Sequence, residues 1–149
     1  MPKAPENDGY EVIWLVRRLF RSLATTADNY LKDDELTAAD RAVMEFLYPK
    51  EKLSVPSIAN RYRVSRQHVQ VTVNRLRSIG LLRAEVNPRH KRSQLIRLSE
   101  LGRQTFAEIR SNEAVIVRKL FADLDQQDIE STQRLLKSLL ARCESGEVS

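Results

Sequence analysis

A mainly α-helical fold carrying one small β-hairpin is predicted by three observations on the 149-residue chain. Apolar residues recur at helical spacing through most of its length. The pattern switches once, after Gly80, to two short runs rich in Leu, Val and Ile. Between those runs lies a turn-forming and strongly basic stretch, Asn87 to Ser93. The composition, 42% apolar and 30% charged, is that of an ordinary globular protein able to bury a core without disulfides.

Each element follows from local chemistry. Asp8 and Glu11 read as a capping pair ahead of an amphipathic helix over roughly residues 10–31, with Val12, Leu15, Val16, Leu19, Leu23 and Ala27 on one face. The polar stretch Lys32 to Glu35 breaks it. Thr37 caps a second helix whose apolar side holds Ala39, Val43, Phe46 and Leu47, and Pro49 stops it. Ser54 caps a short third helix, with Pro56 tolerated in the first turn and Ile58, Ala59 and Tyr62 packing inward. Arg63-Val64-Ser65 makes a tight turn, Ser65 caps a fourth helix, and Gly80 supplies the left-handed residue that ends it.

The segments LLRAEV and QLIRL then form the hairpin, with NPRHKRS at its tip. From Ser99 a long helix runs to about Asp123, with Leu101, Phe106, Ile109, Ile116, Leu120 and Leu124 as apolar positions. Asp125 opens a last helix bearing Ile129, Leu135, Leu136, Leu139 and Leu140. Helix, turn, helix and hairpin make a winged helix-turn-helix over residues 36–99. It is framed by terminal helices over 1–35 and 100–149, too long for a core of about 60 residues to cover, so part of their apolar surface calls for a partner. A second copy of the chain is the simplest one, which makes these helices a dimerisation region.

Charge is distributed very unevenly. Between Ser54 and Arg97 nine arginines and one lysine face a single glutamate, a net charge of +9; with +5 overall, the remainder carries −4. A basic middle between mildly acidic arms is the footprint of a surface for a polyanion. Catalysis is not expected. Two histidines and one cysteine offer neither a zinc set nor a Cys-His pair, no nucleophile with a base can be assembled, and no metal or cofactor is called for. No run approaches the ~18 apolar residues of a membrane span and the N-terminus lacks the apolar core of a signal peptide, so a cytoplasmic protein without membrane contact is expected. The lone Cys143 agrees with a reducing compartment.

The second helix of a helix-turn-helix lies in the major groove of double-stranded DNA, and helical angles say which side chains it would offer. Val69, Val73 and Leu76 fall within about 60° of one another and form the buried stripe. Gln67, Val71 and Asn74 lie opposite, flanked by Gln70 on one side and by His68 and Arg75 on the other, with Ser65 and Arg66 at the start. Glutamine and asparagine pair bidentately with adenine, and an exposed valine suits a thymine methyl, so this face should favour A·T pairs. At the hairpin tip, Arg89, His90, Lys91 and Arg92 suit phosphates or a narrow minor groove.

The run Ser65-Arg66-Gln67-His68-Val69-Gln70, then Arg75-Leu76, Gly80-Leu81-Leu82-Arg83 and Leu98-Ser99-Glu100-Leu101-Gly102, resembles the MarR family of bacterial transcription regulators in letters and spacing. Leu36-Thr37 at the start of the second helix is similar too, so the resemblance covers nearly the whole chain. It implies a homodimer of winged-helix subunits that reads a palindromic operator with two recognition helices and two wings; the residues do not distinguish activator from repressor, and family analogy alone favours a repressor. It also implies that Arg92, six residues before Leu98, is the wing-tip arginine that enters the minor groove. The wing aspartate usual two residues before that arginine is His90 here, so the customary carboxylate brace is missing.

Many members of that family release DNA on binding a small, often aromatic molecule between the dimerisation and DNA-binding parts. Trp14, Tyr30 and Phe46 are the aromatic candidates for such an effector pocket. Others sense oxidants through cysteine; Cys143, on the stripe of Leu136, Leu139 and Leu140, reads as a packed thiol. The competing reading keeps the fold and the charge but makes the chain an architectural or assembly protein that binds DNA without sequence choice.

Overall fold

The computed structural model describes residues 5–31 and 35–148, with side chains from residue 6 to 26 in the first stretch. Its elements in chain order are α1 (Pro5–Leu31), α2 (Ala38–Leu47), β1 (Leu53–Ser54), α3 (Val55–Tyr62), α4 (Arg66–Ser78), β2 (Leu82–Glu85), β3 (Leu95–Leu98), α5 (Glu100–Leu120) and α6 (Gln126–Glu144). The architecture is a winged helix-turn-helix, mostly helical with one small antiparallel sheet. The chain divides into two units, Met1–Asn112 and Glu113–Ser149.

In the first unit the helix starts are set by hydroxyl caps. Thr37 accepts from the Asp40 N–H while the Asp40 carboxylate accepts from the Thr37 N–H at 2.9 Å, a reciprocal box that fixes where α2 begins. Ser54 and Ser65 cap α3 and α4 by accepting from Ser57 and His68. Arg63 ends α3 at φ +60° and Gly80 follows α4 at φ +82°, so the chain reverses at both ends of the turn-helix unit. The core is one cluster in which Val43, Met44, Leu47, Ile58, Val69, Val73, Leu76, Phe106 and Ile109 are fully buried. It holds α4 through the expected stripe, which Thr72 widens by donating to the His68 carbonyl at 3.2 Å.

The sheet has the order β1-β3-β2. In the hairpin Leu82 pairs with Leu98 and Arg83 with Arg97, so Leu82, Ala84, Ile96 and Leu98 face the core while Arg83, Glu85 and Arg97 face out. Glu85 joins Lys52 at 2.5 Å and Arg97 at 3.3 Å, a brace across the outer face of the wing. Those bonds, the one from Lys52 first, hold its carboxyl below the ordinary value. At the hairpin base Ser99 donates its N–H to the Leu81 carbonyl and its hydroxyl to the Gly80 carbonyl at 2.6 Å, and accepts from the Gly102 N–H.

The second unit holds the end of α5 and all of α6, which Asp125 caps through the Gln127 N–H at 2.7 Å. No residue of α6 is buried within this chain.

Several expectations change. The first helix begins at Pro5, so Asp8 and Glu11 lie inside it and add charge to its opening turns rather than capping it. The strand β1, which pairs Leu53 with Ile96, was not foreseen, because two residues carry no alternation to read. Leu101 is 54% exposed, since it is Gly102 that turns toward the Leu81 backbone. Cys143 is exposed, so nothing within this chain packs its thiol. The break at Lys32 to Asp34 lies outside the described residues.

Candidate nucleic-acid interface

The basic segment becomes a surface through two devices. The Ser65 cap projects the start of α4 outward, and the β2–β3 hairpin carries its basic tip to the same side of the unit. Between them runs a groove lined by Val55, Pro56, Arg66, Gln67, Gln70, Arg77, Lys91, Arg92, Ser93, Gln94 and Ile96. It holds four cations and no carboxylate. Two stretches some 20 residues apart in sequence thus share one positively charged concavity, the form that a duplex backbone would enter.

On α4 the residues Arg66, Gln67, His68, Gln70, Val71 and Asn74 are all exposed, and Val71 is 62% exposed with no apolar neighbour demanded by the core. Gln70 Nε2 donates to Asn74 Oδ1 at 2.8 Å, which orients both amides on the outer face. Ser65 is committed to its cap. At the tip, the Asn87 side chain accepts from the Arg89 N–H, and the His90 and Ser93 N–H groups close two turns onto the Asn87 and His90 carbonyls. Arg89, His90, Lys91 and Arg92 are exposed, and among the described residues the three cations form no ion pair.

One expected contact residue, Arg75, carries a second bond set. Arg75 turns back to the start of α2, where Nη1 bonds the buried Asp40 carboxylate and Nη2 donates to the Glu35 carbonyl at 2.6 Å. Its guanidinium satisfies a buried charge while the side chain stays 42% exposed, so it is tied to α2 rather than free on the outer face. Arg77, Ser93 and Gln94, which had not been singled out, line the groove instead. Arg77 was legible: it lies eleven residues after Arg66 and seven after Gln70, on one helical stripe.

Two of the three effector candidates have described side chains. Phe46 is packed against Tyr62 with ring centroids 5.9 Å apart. Trp14 is exposed on α1 with the Arg18 guanidinium 4.6 Å from its ring. The side chain of Tyr30 lies outside the described residues. Among the described residues no group of three or more metal-ligating side chains occurs, and no helix is long and apolar enough to cross a membrane.

The class this fold defines is the winged helix-turn-helix, in the arrangement seen in solved MarR-family structures. The chain is similar to the transcriptional regulator BldR from Sulfolobus solfataricus, with a TM-score of 0.84, 20% identity, and coverage of 94% of this chain and 99% of that one. A MarR-family regulator from Silicibacter pomeroyi aligns with a TM-score of 0.79 and 19% identity, over 94% of this chain and 95% of that one. The MepR–DNA complex from Staphylococcus aureus aligns with a TM-score of 0.77 and 19% identity, over 87% and 96%. No protein-family model matches the chain. In sequence, uncharacterised proteins of Mycobacterium tuberculosis and Mycobacterium bovis are 33% identical over 88 residues, 59% of this chain. The match spans only 62% of the length of those relatives.

Proposed function

We propose that the chain is a member of the MarR family that acts in the cytoplasm as a homodimer, binding a palindromic operator in double-stranded DNA and repressing transcription from it. The observation that carries this reading is the groove between α4 and the hairpin, with four cations, no carboxylate, and an outward face of amides and one valine beside it. Arg66, Arg77 and Lys91 serve phosphates, which set affinity and register. Gln67, Gln70, Val71 and Asn74 read base edges in the major groove, favouring A·T pairs. Arg92 reaches the adjacent minor groove and Arg89 a phosphate beside it, while His68 and His90 make polar contacts.

Dimerisation, through residues 1–35 and 100–149, is supported by apolar side chains that the single chain leaves uncovered. They include Leu19, Phe20 and Leu23 on α1, Val117 and Leu120 on α5, and Leu135, Leu136 and Leu140 on α6. The reading includes release by a small aromatic ligand. Of the two candidates with described side chains, Trp14 presents an exposed aromatic face and Phe46 packs against Tyr62.

Selection of random duplexes by the purified protein tests the reading. Enrichment of a palindrome whose half-site centres lie one helical turn apart, ~34–36 Å, is the expected result. Salt-sensitive binding without enrichment would favour the architectural alternative, and no binding under any salt would overturn both.

A further inference from the structure

The face that α4 presents to solvent depends on how the helix is rotated and tilted, which its apolar anchors set by shape and not by direction. Val69, Val73 and Leu76 fix depth, but burial is non-directional. Ser99 ties the loop after α4 to the wing root, and the directional side-chain link from α4 itself to the start of α2 is Arg75. Its two terminal nitrogens bond two different pieces of chain: the Asp40 carboxylate, 3% exposed in the first turn of α2, and the Glu35 carbonyl. A guanidinium held at both nitrogens has its plane defined, and charge-assisted bonds of this kind tolerate little misalignment.

The acceptors are themselves held. Asp40 is fixed by the reciprocal cap with Thr37, and Glu35 sits at φ +56°, a left-handed conformation that is costly for a residue with a side chain. Such a conformation persists where its surroundings over-determine it, and the bond from Arg75 to the Glu35 carbonyl is one such constraint.

We infer that Arg75 and Asp40 form a latch that sets the angle of the recognition helix, so that both act as positioning residues for sequence discrimination although neither touches DNA. The inference rests on the DNA-binding reading above. It differs from the role that sequence position alone gives Arg75, a direct contact, and the two make opposite forecasts for Asp40.

The experiment measures affinity for the selected operator and for scrambled duplex, each across a salt series, for the full-length wild type, Asp40→Asn, Arg75→Gln, Arg75→Lys and the double variant Asp40→Asn with Arg75→Gln. A wild type that binds no DNA removes the reading on which the latch rests, and is thereby separated from failure of the latch itself. With a binding wild type, the latch predicts that Asp40→Asn and Arg75→Gln each cut the operator-to-scrambled ratio about tenfold or more. The salt slope stays unchanged, and the double variant is no worse than the weaker single one. Arg75→Lys keeps the charge but cannot span both acceptors, so it should also lose discrimination at unchanged slope. It carries the test if Asp40→Asn does not fold. A slope shallower by about 0.9 in Arg75→Gln, with Arg75→Lys retaining full discrimination, would mean a phosphate contact and overturn the latch. An unchanged ratio in folded Asp40→Asn would also overturn it.

Discussion

Gly102 packs so closely on the Leu81 carbonyl that a Cβ built on it would lie 2.0 Å from that oxygen. The contact joins the first turn of α5 to the loop after α4. Ser99 ties the same two places together through the Gly80 carbonyl and the Gly102 N–H. The end of α4, the root of the wing and the start of α5 are therefore one junction. Gly102→Ala should cost about 3 kcal/mol or more of unfolding free energy, because the obstacle is backbone that cannot rotate away. Urea denaturation of the variant checks this.

Two valines two residues apart should behave oppositely. Val73 is fully buried beneath α4 and Val71 is 62% exposed. Val73→Ala should lower stability by roughly 1–3 kcal/mol, whereas Val71→Ser should change it by less than about 0.5 kcal/mol. In DNA binding the order reverses. Val71→Ser should relax preference at one A·T position of the operator, read by repeating the duplex selection with the variant.

At the wing tip, Lys91 and Arg89 should act through charge alone. Lys91→Gln or Arg89→Gln should weaken operator and scrambled DNA by the same factor and flatten the salt dependence by about 0.9 for each phosphate no longer neutralised. Anisotropy titrations across a salt series give both quantities.

The brace at Glu85 predicts a pH effect of definite sign. Its carboxyl is held below the ordinary value of 4.5, chiefly by the bond from Lys52, so folding is favoured while it is ionised. That contribution is complete above the unfolded value and fades as pH falls through the lower folded one. The stability gap between wild type and Glu85→Gln should thus be present at neutral pH and close in acid below about pH 4.5. Thermal unfolding at several pH values measures it.

Dimerisation predicts that Leu136→Asp with Leu140→Asp gives a folded monomer in sedimentation at micromolar concentration. Both side chains are exposed in the single chain, so its own packing does not need them.

What could be read from residues was whatever local chemistry determines. Thr37, Ser54, Ser65 and Asp125 cap helices because short oxygen-bearing side chains meet free N–H groups there, and Gly80 takes a left-handed turn that its neighbours resist. The stripe of Val69, Val73 and Leu76 follows from helical angle alone. What stayed hidden depends on residues distant in sequence. Arg75 looks like another cation of the basic segment until Asp40, 35 residues earlier, is placed beside it. Leu101 fits a helical apolar pattern, and only the Leu81 carbonyl explains why Gly102 takes the inward place. The meeting of Arg77 with Lys91 and Arg92 in one groove needed the hairpin to be folded back beside α4.

The central claim, sequence-specific recognition of DNA by this surface, is tested most directly by the affinity of the wild-type protein for its selected operator against a scrambled duplex of the same length at physiological salt. The account predicts a ratio of about a thousand or more. A ratio near one, with binding that still falls steeply as salt rises, would contradict it and leave a protein that holds DNA by charge without reading it.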